Sequence, residues 1–283
     1  MKTKHRIRPT RNVIPQRVLA APAAGASLAL AAATILILAV FLPVARAADA
    51  GKGSKPPIVL VHGAFADGSS WQHVIPLLEK DGYTVTAVQN PMTSLADDIA
   101  TTKRAIEFQK GPVVLVGHSY GGMVITAAAA QTTNVKALVY IAAFAPDTGE
   151  SAGSLLKRNK SPDELGPALV ADSGGFLYIS REKFHDVFAK DVSVSETRIA
   201  AATQKPIFGG IFETPIERAG WKDIPSWCLV ATEDHAISPD LERFMAKRMN
   251  ATTVEVKASH VAFISHPKEV VKLIEAAAEA AAK

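Results

Sequence analysis

Gly117-His118-Ser119-Tyr120-Gly121 sets a serine between two glycines, directly after the apolar run Pro112-Val113-Val114-Leu115-Val116. A G-x-S-x-G sequence where a strand stops and a helix starts is the pattern of a nucleophile elbow. The sharp turn strains the serine backbone and lifts its Oγ clear of the sheet. Residues two before and two after must be small, because side chains there would collide. Gly117 and Gly121 meet that need, and Gly122 adds a third residue without a Cβ. The segment from Met123 to Gln131 is alanine-rich and helix-competent. The backbone N–H groups at its start can receive a developing anion.

A serine hydroxyl is a poor nucleophile at neutral pH. It needs a base, and the base needs an orienting acid. Two later segments offer them. Ala231-Thr232-Glu233-Asp234-His235 follows a predicted fifth strand, and Ala258-Ser259-His260-Val261 follows a predicted sixth. His260 is the candidate base, because position, order and strand end agree. His235 sits beside the acids, and His266 precedes Pro267 at the start of the last helix. His118 lies inside the elbow, turned from the nucleophile's solvent side. His73 and His185 fall on predicted helices as solvated or packed residues. Glu233 and Asp234 both stand as candidate acids. Acyl transfer also needs two N–H donors for an oxyanion, and losing one costs about 3 kcal/mol in the barrier. The expected donors are Tyr120 N–H, just after the serine, and Ala64 N–H in the loop His62-Gly63-Ala64-Phe65, which His62 braces.

The elements that would position these groups are legible as apolar runs. Strands are predicted at 57–61, 83–88, 113–116, 135–141, 227–231 and 253–256, and helices at 70–80, from Ser94 to about Gln109, and from Pro267 to the C-terminus. Their alternation implies a doubly wound, mostly parallel six-stranded α/β sheet. It breaks between about Asp147 and Trp221, a stretch richer in charge, Ser and Gly. Helix starts are read there at Ser161-Pro162-Asp163-Glu164 and at Ser193-x-x-Glu196. This stretch is expected to be a small, largely helical cap over the carboxyl edge of the sheet. Phe176, Leu177, Tyr178, Phe184, Phe188, Phe208, Phe212 and Trp221 lie within it.

The 283 residues carry a formal net charge of +4, but residues 1–47 hold seven Lys and Arg and no acid. Subtracting those seven from 31 leaves 24 basic residues against 27 acidic ones, a net of −3. The basic character therefore belongs to the leader and gives no case for nucleic-acid binding. A basic start, an uncharged stretch from Val18 to Ala45 and Ala45-Arg46-Ala47 describe a secretory signal peptide over 1–47. Periplasmic or secreted placement is expected. The alternative is an uncleaved membrane anchor, since the apolar stretch is long enough to span a bilayer. Residues 48–55 read as a polar linker and 56–283 as the folded domain. The single cysteine, Cys228, excludes an intramolecular disulfide and reads as a packing residue. No Cys/His cluster has zinc-ligand spacing, and no metal or cofactor is expected.

Residues 56–283 resemble the α/β-hydrolase superfamily, and more closely the branch of plant methylesterases, hydroxynitrile lyases and small bacterial esterases. Val61-His62-Gly63-Ala64 with Trp71, Gly117 to Gly122, Thr232-Glu233-Asp234 through Ile237 and Pro239, and Ser259-His260 with Pro267 carry the resemblance. It implies Ser119 as nucleophile, His260 as base and Asp234, rather than Glu233, as acid. Lyases of this branch carry lysine after the histidine and threonine in place of the first glycine. Val261 and Gly63 stand there, which favours hydrolysis of a small-molecule carboxylic ester or lactone. Carbon–carbon cleavage, acyl transfer, perhydrolysis, or ligand binding without catalysis are the alternatives.

Overall fold

The computed structural model describes residues 55–158 and 164–282. The predicted leader, nearly all of the linker and the Ser161-Pro162-Asp163 helix start lie outside the described residues. Among the described residues the central sheet has six strands, β1 (Ile58–Val61), β2 (Val85–Ala87), β3 (Val113–Ser119), β4 (Val135–Ala143), β8 (Ser226–Ala231) and β9 (Thr252–Val256). All pair in parallel, in the order β2-β1-β3-β4-β8-β9. Strands buried on both faces need apolar side chains on both, so β1, β3 and β8 read as unbroken runs rather than alternations. Thr252 to Val256 can be polar because β9 is an edge, and Cys228 sits buried in β8, where burial pushes its thiol up.

From β1 the chain steps outward to β2, then crosses back to β3 and continues the other way. The order reverses between β1 and β3, which lie side by side with Val61 opposite Gly117. Ligands of open parallel sheets bind beyond the strand ends at such a switch point. The loops carrying Ala64 and Ser119 leave the sheet there.

Helices α1 (Ile75–Lys80), α2 (Leu95–Phe108), α3 (Tyr120–Ala129), α7 (Pro239–Arg248), α8 (Ala262–Ser265) and α9 (Pro267–Ala281) surround the sheet. The Ser94 hydroxyl accepts from Asp97 N–H at the start of α2, as its spacing with Asp97 predicts. The single helix expected over 70–80 is instead a 3₁₀ turn, Gly68–His73, followed by α1, with Pro76 in the first turn. Proline removes an N–H that a continuous helix would require.

The cap holds α4 (Ala152–Arg158), α5 (Arg181–Phe188) and α6 (Val194–Thr203). Ser193 caps α6 by accepting from Glu196 N–H. The cap also contains an antiparallel sheet of β5 (Leu169–Ala171), β6 (Phe176–Ile179) and β7 (Ile207–Phe208), which the helical reading did not include. Phe176-Leu177-Tyr178-Ile179 forms its central strand, and Phe176 packs edge-on against Phe208 across it.

Candidate active site

β3 ends on Ser119 and α3 begins on Tyr120. Ser119 has φ 51° and ψ −123°, a left-handed conformation costing on the order of 1–3 kcal/mol for a residue with a side chain. The surrounding backbone enforces it. A Cβ on Gly117 would lie 2.6 Å from Gly121 O, and one on Gly121 would lie 2.5 Å from Val61 O. The start of α3 is thus pressed onto the ends of β1 and β3, as the motif requires. Ser119 is 6% exposed.

Asp234 and His260 meet beyond the ends of β8 and β9. His260 Nδ1–H donates to Asp234 Oδ2 at 2.6 Å, with both side chains buried. Asp234 Oδ1 accepts from Ala236 N–H at 2.6 Å and Ile237 N–H at 2.9 Å. With the proton on Nδ1, His260 Nε2 is left as the acceptor. Among the described residues no hydrogen bond joins Ser119 to His260. Such bonds are often long in free enzymes and tighten with substrate. His118 links the two. Its ring lies 4.7 Å from the His260 ring, and its Nε2–H donates to His260 C=O at 3.0 Å. A Cβ added at Gly63 would lie 2.7 Å from Ser119 Cβ and 2.8 Å from His118 Nδ1. Gly63 is therefore pressed against both, and the structure leaves no room there for threonine. Burial, followed by the neighbouring His260, pushes His118 well below the ordinary histidine range.

The rival residues are engaged elsewhere. Glu233 lies 3.5 Å from Lys257, and His235 pairs with Glu164 at 2.7 Å. His266 meets Ser265 and Asp191, His73 meets Glu196, and His185 contacts Asp186 and Val192 O.

Tyr120 N–H belongs to the first turn of α3, where helix amides have no intrahelical acceptor. Ala64 N–H, after β1, has no acceptor among the described residues. His62 braces this loop as expected. It receives Asn90 N–H on Nε2 at 3.1 Å and donates Nδ1–H to Gly63 O at 2.9 Å. Burial holds its pKa down at about 4. Tyr120 is fixed by its hydroxyl, which donates to buried Asp98 at 2.7 Å. Asp98 also accepts Met92 N–H at 2.8 Å.

The cap is fastened on both sides of this site. Lys205 Nζ donates to Asn90 O, and Phe208 N–H to Met92 O at 3.0 Å, beside the Ala64 loop. Asp191 accepts both the hydroxyl and the N–H of Ser259, the residue before His260. Burial would raise Asp191, but hydrogen bonds from Ser259, Ser265 and backbone N–H groups together outweigh it and hold the carboxyl low. Asp98, Asp191, Lys205 and Glu242 were not among the residues singled out from sequence.

Two cavities flank the site. One of about 810 Å³ is polar and lies on the Asp234 side, with Lys157, Asp191, Glu213 and His235 in its wall. The other, about 390 Å³, is apolar and lined by Phe65, Phe184, Phe188, Val261, Phe263 and Ile199 among others. Ser119 is in neither wall. The apolar cavity adjoins the site through Phe65, which follows Ala64, and through Phe188, whose ring centroid is 4.9 Å from that of His260. Of the cap aromatics, Phe184 and Phe188 therefore face a cavity. Phe212 lies against Tyr120, and Trp221 donates to Pro146 O.

A sequence profile of the alpha/beta hydrolase family matches residues 58–273. The chain belongs to this family. The alpha/beta hydrolase nvfD of Aspergillus novofumigatus is 28% identical, over 79% of this chain and 97% of that protein. Methylesterase 8 of Arabidopsis thaliana is 26% identical, over 68% of this chain and 77% of its own length. Among solved structures, a pyrethroid hydrolase from Sphingobium faniae superposes with TM-score 0.71 at 22% identity, covering 79% of this chain and 97% of that one. This family member thus shares its fold with that enzyme, and its sequence relatives include esterases.

Proposed function

We propose that this chain hydrolyses small carboxylic esters, lactones included, through an acyl-enzyme on Ser119. The observation that carries the reading is the buried Asp234–His260 hydrogen bond at 2.6 Å, on the same sheet edge as a strained serine. His260 Nε2 takes the Ser119 proton as Oγ attacks the ester carbonyl. The Nδ1–H to Asp234 bond keeps the ring in the correct tautomer and stabilises the imidazolium. The carbonyl oxygen becomes an oxyanion and accepts from Ala64 and Tyr120 N–H. As the intermediate collapses, His260 protonates the leaving alcohol. Water, deprotonated by the same nitrogen, then attacks the acyl carbonyl and releases the acid and free Ser119.

The esterases among the relatives support this chemistry. A hydroxynitrile lyase of Arabidopsis thaliana, 25% identical, is also similar. Gly63 and Val261 depart from the threonine and lysine that the family resemblance leads one to expect in lyases of this branch. Ser119→Ala should lower kcat on p-nitrophenyl acetate by at least about 10³-fold and abolish labelling by a fluorophosphonate. Turnover at the parent rate in that variant would refute the proposal.

A further inference from the structure

Glu242, on α7, is a buried carboxyl group for which the reaction above has no use. It is 4% exposed, and its Oε2 accepts Ala231 N–H at 3.1 Å. Its side chain lies against that of Asp234. Oε1 is buried with no donor among the described residues, which leaves it as the oxygen free to carry a proton. Two carboxyl groups in such contact cannot both be ionised, so one proton lies between them. Asp234 already accepts from Ala236 N–H, Ile237 N–H and His260 Nδ1–H, whereas Glu242 accepts from one amide. More donors stabilise the charge on Asp234, and the proton therefore sits on Glu242.

Arg243 opposes that assignment only weakly, behind burial and the Asp234 charge. Arg243, next on α7, binds Asp240 and Glu255 at the surface. From β8, the buried Cys228 thiol is kept protonated. Burial and then the Asp234 charge push the Glu242 carboxyl well above the usual range.

We propose that Glu242 is a positioning residue which, as a neutral acid, donates Oε1–H to Asp234 and holds it ionised toward His260 Nδ1. The inference rests on the hydrolase reading for its catalytic consequence, but not for the location of the proton. Glu242→Gln retains an N–H for Asp234 and an oxygen for Ala231 N–H. Glu242→Met retains length and removes the donor. The Met variant should lose about 10- to 10²-fold in kcat with KM changed less than about twofold, and the Gln variant should recover most of that loss.

An infrared difference spectrum of parent minus E242Q at neutral pH should carry the C=O stretch of a protonated carboxyl. Ser119→Ala should keep this band while losing turnover. Absence of the band overturns the proposal. So does a folded E242M with the parent kcat, or an E242Q no better than E242M. If E242M does not fold, the infrared band decides alone. Full activity in Ser119→Ala would refute the hydrolase reading, whereas the infrared result would still judge Glu242.

Discussion

Two imidazoles beside Ser119 are kept neutral chiefly by desolvation, and both pin backbone. His62 ties Asn90 to Gly63, and His118 ties the elbow to the His260 carbonyl. His118 Nδ1 has no partner, so its lone pair is buried without compensation. Protonating either ring would charge a site with no carboxylate bound to it. His62 has a folded pKa of about 4 against an ordinary 6.5, so the unfolded chain takes up its proton first as the pH falls. Stability is full above pH 6.5 and is lost as the pH drops toward 4. Between pH 7 and pH 5 the loss from His62 is about 2 kcal/mol, and His118 acts in the same direction. Urea midpoints at the two pH values should show this loss, and His62→Gln should flatten it. A variant with the parent slope would count against the assignment.

At the level of elements, the start of α3 is held by a side chain as well as by its glycines. The Tyr120 hydroxyl reaches Asp98 on α2, and Asp98 holds Met92, where the β7 edge of the cap is attached. Tyr120→Phe leaves a buried carboxylate short of one donor and should cost about 1–3 kcal/mol in stability, measured by chemical denaturation. It should spare most of kcat, because the group offered to an oxyanion is the backbone amide. The strands and the elbow could be read from sequence because their signals are local. Val113 to Val116 is an unbroken apolar run leading into a turn that Gly117 and Gly121 permit. Ala64, Ser119, Tyr120 and Asp234 each sit at or just beyond the end of such a run, and His260 just beyond the polar edge strand β9, so the candidate site was legible in position. Asp98, Asp191 and Glu242 were not, because each meets its partner through tertiary packing. An acid that caps a turn and one that braces a catalytic loop look alike in sequence. The β5–β6–β7 sheet was missed for the same reason, since its short strands are stabilised by pairing rather than by any periodicity of their own.

For the molecule as a whole, the cap bridges the mouth of the sheet and is fastened near both the Ala64 loop and the His260 loop. It places an apolar chamber next to His260. Asp67 and Glu196 stand in that chamber's wall, which has no Lys or Arg among the described residues. A substrate carboxylate there would be desolvated beside like charges with no cation to compensate. Uncharged apolar esters should therefore be preferred to hemisuccinates of the same leaving alcohol, by on the order of tenfold in kcat/KM. Equal rates for the two would remove the apolar chamber from the substrate path. The burial of the single thiol has a different consequence. Cys228 is enclosed in β8, and burial raises its thiol far from the ionised, reactive form. The native chain is thus nearly silent to maleimides. A cysteine placed at Ile199, 66% exposed on α6, would be the one thiol to take a fluorophore or spin label, so movement of the cap can be followed without first removing a native residue.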